Sequence, residues 1–378
     1  MKIEKIGSEQ VIQSADPASY FSYFGWPSVA RLQDGRIAVV SSGFRNNHTC
    51  PFGKVVISYS DDECRTFSCP AVAIDTPLDD RDGGILAYGE NTVMITSFTS
   101  RVSDLKNRAG DDPMWNAYID NCIPPDADEK YFGSVYRIST DCGKTFGPLK
   151  KAPVTSPHGP IAMPDGSLLW TGNHMDVSCG QDDMKVYVYR MTPDEVFVPL
   201  GSIGPILDES GKPMEANEPH TCLLPDGTLL CHIRVEKGYN DDAEYFTTYQ
   251  SESKDGGKTW SKPHRILPKL GGATPHLLLH SSGTLISAVE RRQPPFEIRV
   301  MLSDDSGQDW YTDNFIFSRG FYRDDRIYSY MDYPLSDLGY PATVELDDGS
   351  LFTVFYSRYP GAGDKASILG QRWRIVRD

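Results

Sequence analysis

One phrase recurs along this chain and limits what it can fold into: a proline or glycine, an apolar stretch, an Asp-Gly-type turn and a second apolar stretch. It occurs six times, as WPSVARLQDGRIAVV from Trp26, DGGILAYGENTVMITSF from Asp82, SPHGPIAMPDGSLLWTG from Ser156, EPHTCLLPDGTLLCHIR from Glu218, TPHLLLHSSGTLISAVE from Thr274 and YPATVELDDGSLFTVFY from Tyr340. Each turn pair (Asp-Gly, Glu-Asn or Ser-Gly) supplies the positive φ of a tight reversal, and the flanking runs have strand length. Each copy therefore reads as a β-hairpin. The copies begin 56, 74, 62, 56 and 66 residues apart, which leaves room for two more strands per unit and is too short for six separate domains. A period of that size points to one ring, an all-β, six-bladed β-propeller spanning residues 1–378. The stretch from Ile3 to Gln13 is expected to add an outer strand that closes the last blade.

A second phrase follows four of the hairpins: SYSDDECRTF from Ser58, STDCGKTF from Ser139, SKDGGKTW from Ser253 and SDDSGQDW from Ser303. This is the Asp-box form, Ser-x-Asp-x-Gly-x-Thr-Trp, in which an Asp, a Gly and an aromatic fold a turn between the outer strands of a blade. Blades three and six carry no recognisable copy. Blade two holds a long insertion from Arg101 to Tyr131, rich in Asp, Asn and Pro, and expected to be a lid or disordered.

The net charge of −15 disfavours a nucleic-acid partner, which needs a basic surface to release counterions from phosphates. The opening MKIEKIGSEQ lacks the apolar run of a signal peptide, and no stretch approaches the roughly 18 apolar residues of a membrane span. The eight cysteines show neither a CxxC pair nor a zinc-type spacing. As it stands the chain reads as cytoplasmic with free thiols, or as periplasmic or secreted if a leader has been removed. No cofactor motif is present and no metal is expected.

In a propeller the first strand of each blade lines the central channel, so the residue opening it faces a shared cavity. Pro27, Pro219, Pro275 and Pro341 each stand seven residues before the turn's first residue, which makes Trp26, Glu218, Thr274 and Tyr340 equivalent. The same count gives Asp82 in blade two and, with one insertion, a point near Pro157 and His158 in blade three. A purely structural ring would repeat one small or apolar residue here. Carboxylates and a phenol at the mouth of one cavity suit acid/base and nucleophilic work instead.

With its Asp boxes and these site residues, the chain resembles the sialidases (neuraminidases) across all six blades. In that family an active-site Glu opens the fourth blade and a carboxylate-binding Arg follows sixteen residues on, a spacing matched by Glu218 and Arg234. The resemblance makes Tyr340, in Gly339-Tyr340-Pro341, the nucleophile, and offers Arg291 or Arg292 in VERRQPP as a further Arg. Two positions depart from the family. Its first Arg sits two residues before a proline in an Arg-Ile-Pro phrase, where this chain reads Gly25-Trp26-Pro27 and has no Arg. The loop GFRNNHTCPFGK offers Arg45 as a second Arg but no acid/base Asp, for which His48 or Asp82 is the substitute.

Other residues carry alternatives. Arg81 and Asp82 are a candidate ion pair, with Arg81 otherwise a substrate contact. His158, His220 and His276 could line the axis as a polar or sugar-binding wall, or meet as a metal site. Trp26 is either a sugar platform or core. Arg323 and Arg326, in the aromatic segment from Phe321, are alternative anion contacts. The leading expectation is an exo-acting glycoside hydrolase on a terminal acidic sugar, with no cofactor and a glycan as its partner. The alternatives are a uronate-directed lyase, with His48 or Tyr340 as base, and a carbohydrate-binding propeller without catalysis.

Overall fold

A computed structural model describes residues 1–174, 185–236, 246–319, 337–358 and 365–377. The N-terminal strand β1 (Lys2–Gln13) precedes blade one, made of β2 (Tyr23–Arg31), β3 (Ile37–Arg45), β4 (Lys54–Ser60) and β5 (Ala71–Ile74). Blade two holds β6 (Asp80–Tyr88), β7 (Thr92–Thr99), β8 (Gly133–Ser139) and β9 (Lys150–Lys151); helices α1 (Val102–Ala109), α2 (Pro113–Asn121) and α3 (Ala127–Tyr131) are inserted between β7 and β8. Blade three is β10 (Ile161–Ala162), β11 (Leu168–Gly172), β12 (Val186–Met191) and β13 (Phe197–Ile203), and blade four is β14 (Glu215–Leu223), β15 (Leu229–Glu236), β16 (Phe246–Ser253) and β17 (His264–Arg265). Blade five is β18 (Ala273–Leu279), β19 (Leu285–Arg291), β20 (Phe296–Ser303) and β21 (Phe315–Arg319). Blade six combines β22 (Leu338–Glu345), β23 (Leu351–Arg358) and β24 (Ala366–Val376) with β1, which pairs antiparallel with β24 from Lys2↔Val376 to Gln13↔Ile368. The two ends of the chain thus close the ring, as the reading of residues 3–13 anticipates.

The first strands touch their neighbours all the way round: β2 meets β6 and β22, β10 meets β6 and β14, and β18 meets β14 and β22. Apolar residues alternating along the strands fill the seams between blades. Val55, Ile57, Ile85 and Ile95 pack blade one on blade two, and Val188, Ile203, Leu229 and Ile233 pack blade three on blade four. A fully buried side chain of this kind contributes about 1.5–3 kcal/mol, so the ring is held mainly by its seams.

The four Ser-x-Asp turns join third to fourth strands at the rim and share one bonding scheme. In blade four, Ser253 Oγ donates to Asp255 Oδ1 at 2.9 Å and accepts from Gly257 N–H at 3.0 Å, while Thr259 N–H and Oγ1–H donate to Asp255. The aromatic that ends each turn reaches the preceding blade: Phe67 lies 6.0 Å from Phe352, and Trp310 Nε1–H donates to Gln250 Oε1 at 2.9 Å.

The insertion in blade two is neither irregular nor detached. Asp112 caps α2 by accepting from Met114 and Trp115 N–H, with Pro113 at the first helical position. Leu105, Ala109, Trp115, Ile119 and Ala127 form a small core with Cys50 and Leu78, which ties down the loop after β3. Arg108 adds a hydrogen bond to Thr49 Oγ1 at 2.8 Å. Among the described residues, no helix is long and apolar enough to cross a membrane.

Candidate active site

The four residues phased on proline and turn, and Asp82 placed by the same count, share one backbone state. Trp26, Asp82, Glu218, Thr274 and Tyr340 have φ of 55°, 49°, 48°, 47° and 51°. Each lies within a register shift of its inner strand pair, between Gly25 and Ser28, Arg81 and Gly84, Asn217 and His220, Ala273 and His276, and Gly339 and Ala342. A bulge with a left-handed residue re-aims one side chain, at a cost of about 1–3 kcal/mol for a residue with a Cβ. Five such bulges converge at the axis. Blade three differs: its inner strand is the two-residue β10, and Pro157 and His158 precede it in a turn.

Tyr340 Oη–H donates to Glu218 Oε1 at 2.5 Å. The other oxygen, Glu218 Oε2, accepts from Arg234 at 2.6 Å and from Thr274 Oγ1–H at 3.0 Å. Arg234 reaches this point because β15 runs back antiparallel to β14 and pairs Arg234 with Asn217; its far side is held by Glu236 at 3.1 Å. Burial alone would raise the Glu218 carboxyl, but Arg234, the Tyr340 hydroxyl and Arg292 outweigh it and the net shift is downward. Burial, reinforced by the charges of Glu218 and Asp82, pushes the Tyr340 phenol well above its ordinary range. The pair is a neutral phenol hydrogen-bonded to a carboxylate.

Asp82 is 4% exposed, and its Oδ1 is buried without a hydrogen-bond partner. Burial raises its pKa to about 7, with Arg81 opposing and the Glu218 charge adding. His48 is pushed the other way, down to about 4, by burial that outweighs its contact with Asp337. Its Nδ1 lies 3.2 Å from Asp337 Oδ1 and 3.3 Å from Tyr23 Oη, and Asp337 also accepts from Tyr23 Oη–H at 3.0 Å and Arg358 Nε–H at 3.2 Å.

The arginines divide. Arg45 is wholly buried and spent on the protein itself: it pairs with Asp79 at 2.7 Å and donates to Ser42 Oγ, Asp80 O and His48 O. It shapes the loop that carries His48 and is not offered as an anion contact. Arg291 ends β19 opposite Glu297 and donates to Pro294 O at 3.0 Å. Its neighbour Arg292 is the one at the site, 5.6 Å from the Tyr340 ring centroid and 3.5 Å from Glu290. Trp26 is 1% exposed and packed among Tyr23, Tyr340, Tyr356 and His48, which leaves no face for a sugar. Arg81 lies over it at 4.5 Å, and among the described residues no ion pair joins Arg81 to Asp82.

The three axial histidines do meet, with ring centroids 4.6–5.5 Å apart. Their Nδ1 atoms are already engaged: His158 with Ser28 Oγ at 2.7 Å, His220 with Leu277 N–H at 2.8 Å and His276 with Thr343 N–H at 3.3 Å. Each thus links its blade to another. Burial lowers all three pKa values, that of His220 to about 4, and among the described residues no group of His, Cys, Asp or Glu is arranged to hold a metal. Arg323, Arg326 and the segment from Phe321 lie outside the described residues.

Glu290 and Asp337 do not stand out in the sequence reading. Glu290 is fully buried, accepts from Tyr340 N–H at 3.3 Å and faces Arg292. A Cβ on Gly339 would sit 2.8 Å from Glu290 Cδ, so the residue before Tyr340 has to be glycine. The available signals are an acid directly before Arg291-Arg292 and another three residues before Tyr340.

No family model matches this chain, and no curated protein matches it at the level of sequence. Solved structures do match. A protein of unknown function from Dyadobacter fermentans DSM 18053 is 20% identical, with 99% of this chain and 100% of that one covered and a TM-score of 0.72. The NanB sialidase of Streptococcus pneumoniae is 13% identical over 98% of this chain and 71% of its own, with a TM-score of 0.66. The intramolecular trans-sialidase of Ruminococcus gnavus is 13% identical over 98% of this chain and 99% of its own, with a TM-score of 0.62. At these identities what the chain shares with the sialidases is the six-bladed β-propeller.

Proposed function

We propose that this protein is an exo-acting glycoside hydrolase that cleaves a terminal acidic sugar by double displacement. The observation that carries the proposal is the 2.5 Å hydrogen bond from Tyr340 Oη–H to Glu218, whose second oxygen is fixed by Arg234. A phenol is a poor nucleophile near neutrality, and a carboxylate placed to take its proton makes it competent. A neutral nucleophile also approaches a sugar bearing its own carboxylate without charge repulsion. Attack by Tyr340 forms a sugar–aryl ether link as the aglycone leaves with a proton; water then displaces Tyr340, and configuration is retained.

Asp82 suits the role of general acid, because burial keeps its proton on near neutral pH. Glu218 is held down and Asp82 is held up, and such a split separates a base from an acid within one site.

The test is a panel of aryl glycosides of keto-acid sugars, uronic acids and neutral sugars. Release of the aryl group from an acidic sugar by the wild type, and none by Tyr340→Phe, supports the reading. Undiminished turnover by Tyr340→Phe would remove its basis. One observation favours a second reading: His48 is kept unprotonated beside Asp337 and so suits a base. A uronate lyase using it would release an unsaturated, ultraviolet-absorbing sugar and depend on His48 instead of Tyr340.

A further inference from the structure

The buried cations around the site are not alike in what they are bonded to. Arg45 faces Asp79 at 2.7 Å, Arg234 faces Glu218 and Glu236 at 2.6 and 3.1 Å, and Arg292 faces Glu290 at 3.5 Å. Arg81 alone of the four has no carboxylate within ion-pair distance among the described residues; its Nε, like that of Arg234, is buried with no hydrogen-bond partner. The side chain is not loose: its guanidinium lies 4.5 Å from the Trp26 ring centroid and 5.8 Å from that of Phe98. Stacking of this kind engages the face of the guanidinium and leaves the N–H edges, where a carboxylate binds through two parallel hydrogen bonds. Burial opposes its charge, but the nearby charges of Asp79 and Asp82 outweigh burial and keep the guanidinium charged, while the buried Nε–H donor is left unmet until an acceptor arrives.

We propose that Arg81 is the residue that recognises the substrate's carboxylate, which would place that group beside Trp26 at the entry of blade two. This rests on the reading of the site as one for an acidic sugar. Trp26 then acts as a positioning residue, stacked on the guanidinium that does the recognising. Asp82, the next residue, turns with φ of 49° and carries its own unpartnered Oδ1, so donor and acid stand side by side at one bulge. Arg234 and Arg292, already ion-paired, have their main task in holding Glu218 and Glu290 around Tyr340.

The test uses binding, so that it is separate from turnover. Tyr340→Phe protein is titrated with the methyl glycosides of N-acetylneuraminic acid and of glucuronic acid, and with the methyl ester of each, by calorimetry. The expected result is a preference for at least one acid over its ester of roughly tenfold to a hundredfold, the range of one bidentate charge-assisted contact. That preference should vanish in the Arg81→Met double variant and return in part with Arg81→Lys. An unchanged ratio in Arg81→Met would overturn the proposal, as would equal binding of acid and ester, or no binding of either, by the parent protein. If Arg81→Met fails to fold by circular dichroism, Arg81→Gln, which keeps length and polarity, takes its place. Loss of the acid preference together with full turnover by Tyr340→Phe would leave Arg81 assigned and the nucleophile misassigned.

Discussion

At the rim, four turns use the same residues for the same bonds: a Ser, an Asp two residues on, and backbone N–H groups closing onto both. At the axis, five residues share a left-handed backbone and nothing else, being Trp, Asp, Glu, Thr and Tyr. Repetition at the rim marks what every blade needs in order to fold, whereas diversity on a fixed backbone marks what the ring does. The bulge is the common device that turns five strand starts toward one point, and its conformational cost is met by the seams between blades.

Substitutions at the two places should therefore break different things. The largest effect on turnover is expected from Glu218→Gln, which removes the carboxylate proposed as the base of Tyr340 and should lower kcat by roughly 10²–10⁴-fold with the ring intact by circular dichroism. Next is pH. A general acid with a pKa of about 7 requires kcat/KM to fall as pH rises through that value, and Asp82→Asn should abolish this limb together with most of the activity. The same raised pKa means that the folded state binds more protons than the unfolded one from about pH 4 to 7. Its contribution to stability therefore declines as pH rises across that window, and Asp82→Asn should flatten the slope in urea titrations. Thr274→Ala removes one donor to Glu218 and should lower turnover about tenfold, whereas Thr274→Ser should restore it. The rim gives the converse. Ser253→Ala orphans Gly257 N–H and should cost about 1–3 kcal/mol in urea unfolding with kcat unchanged. A rim variant that altered kcat, or an axial one that altered only stability, would collapse the distinction.

The same contrast separates what the sequence encodes locally from what only the closed ring brings together. The blade count, the closing strand and the five axial positions follow from short-range regularities, the proline and the turn seven residues apart. Arg234 follows because a hairpin of known length returns it to Glu218. What could not be read depends on contacts between blades. Arg45 looks free until Asp79, 34 residues on, is placed against it. Arg291 and Arg292 are told apart only by which way the end of β19 turns. Glu290 matters through Tyr340, 50 residues later, and Asp337 through His48, 289 residues earlier. Trp26 holds an axial position and yet is packed, because its neighbours Tyr23 and Tyr356 close over it.

The covalent step at Tyr340 is tested most directly by mixing the protein with a fluorinated glycosyl fluoride of an acidic sugar that the aryl-glycoside panel shows it to turn over, quenching, digesting and weighing the peptides. Fluorine on the ring slows the second displacement and lets a covalent intermediate accumulate. A sugar adduct is expected on the peptide containing Tyr340, absent from Tyr340→Phe. Turnover without any adduct, or an adduct that persists in Tyr340→Phe, would contradict it.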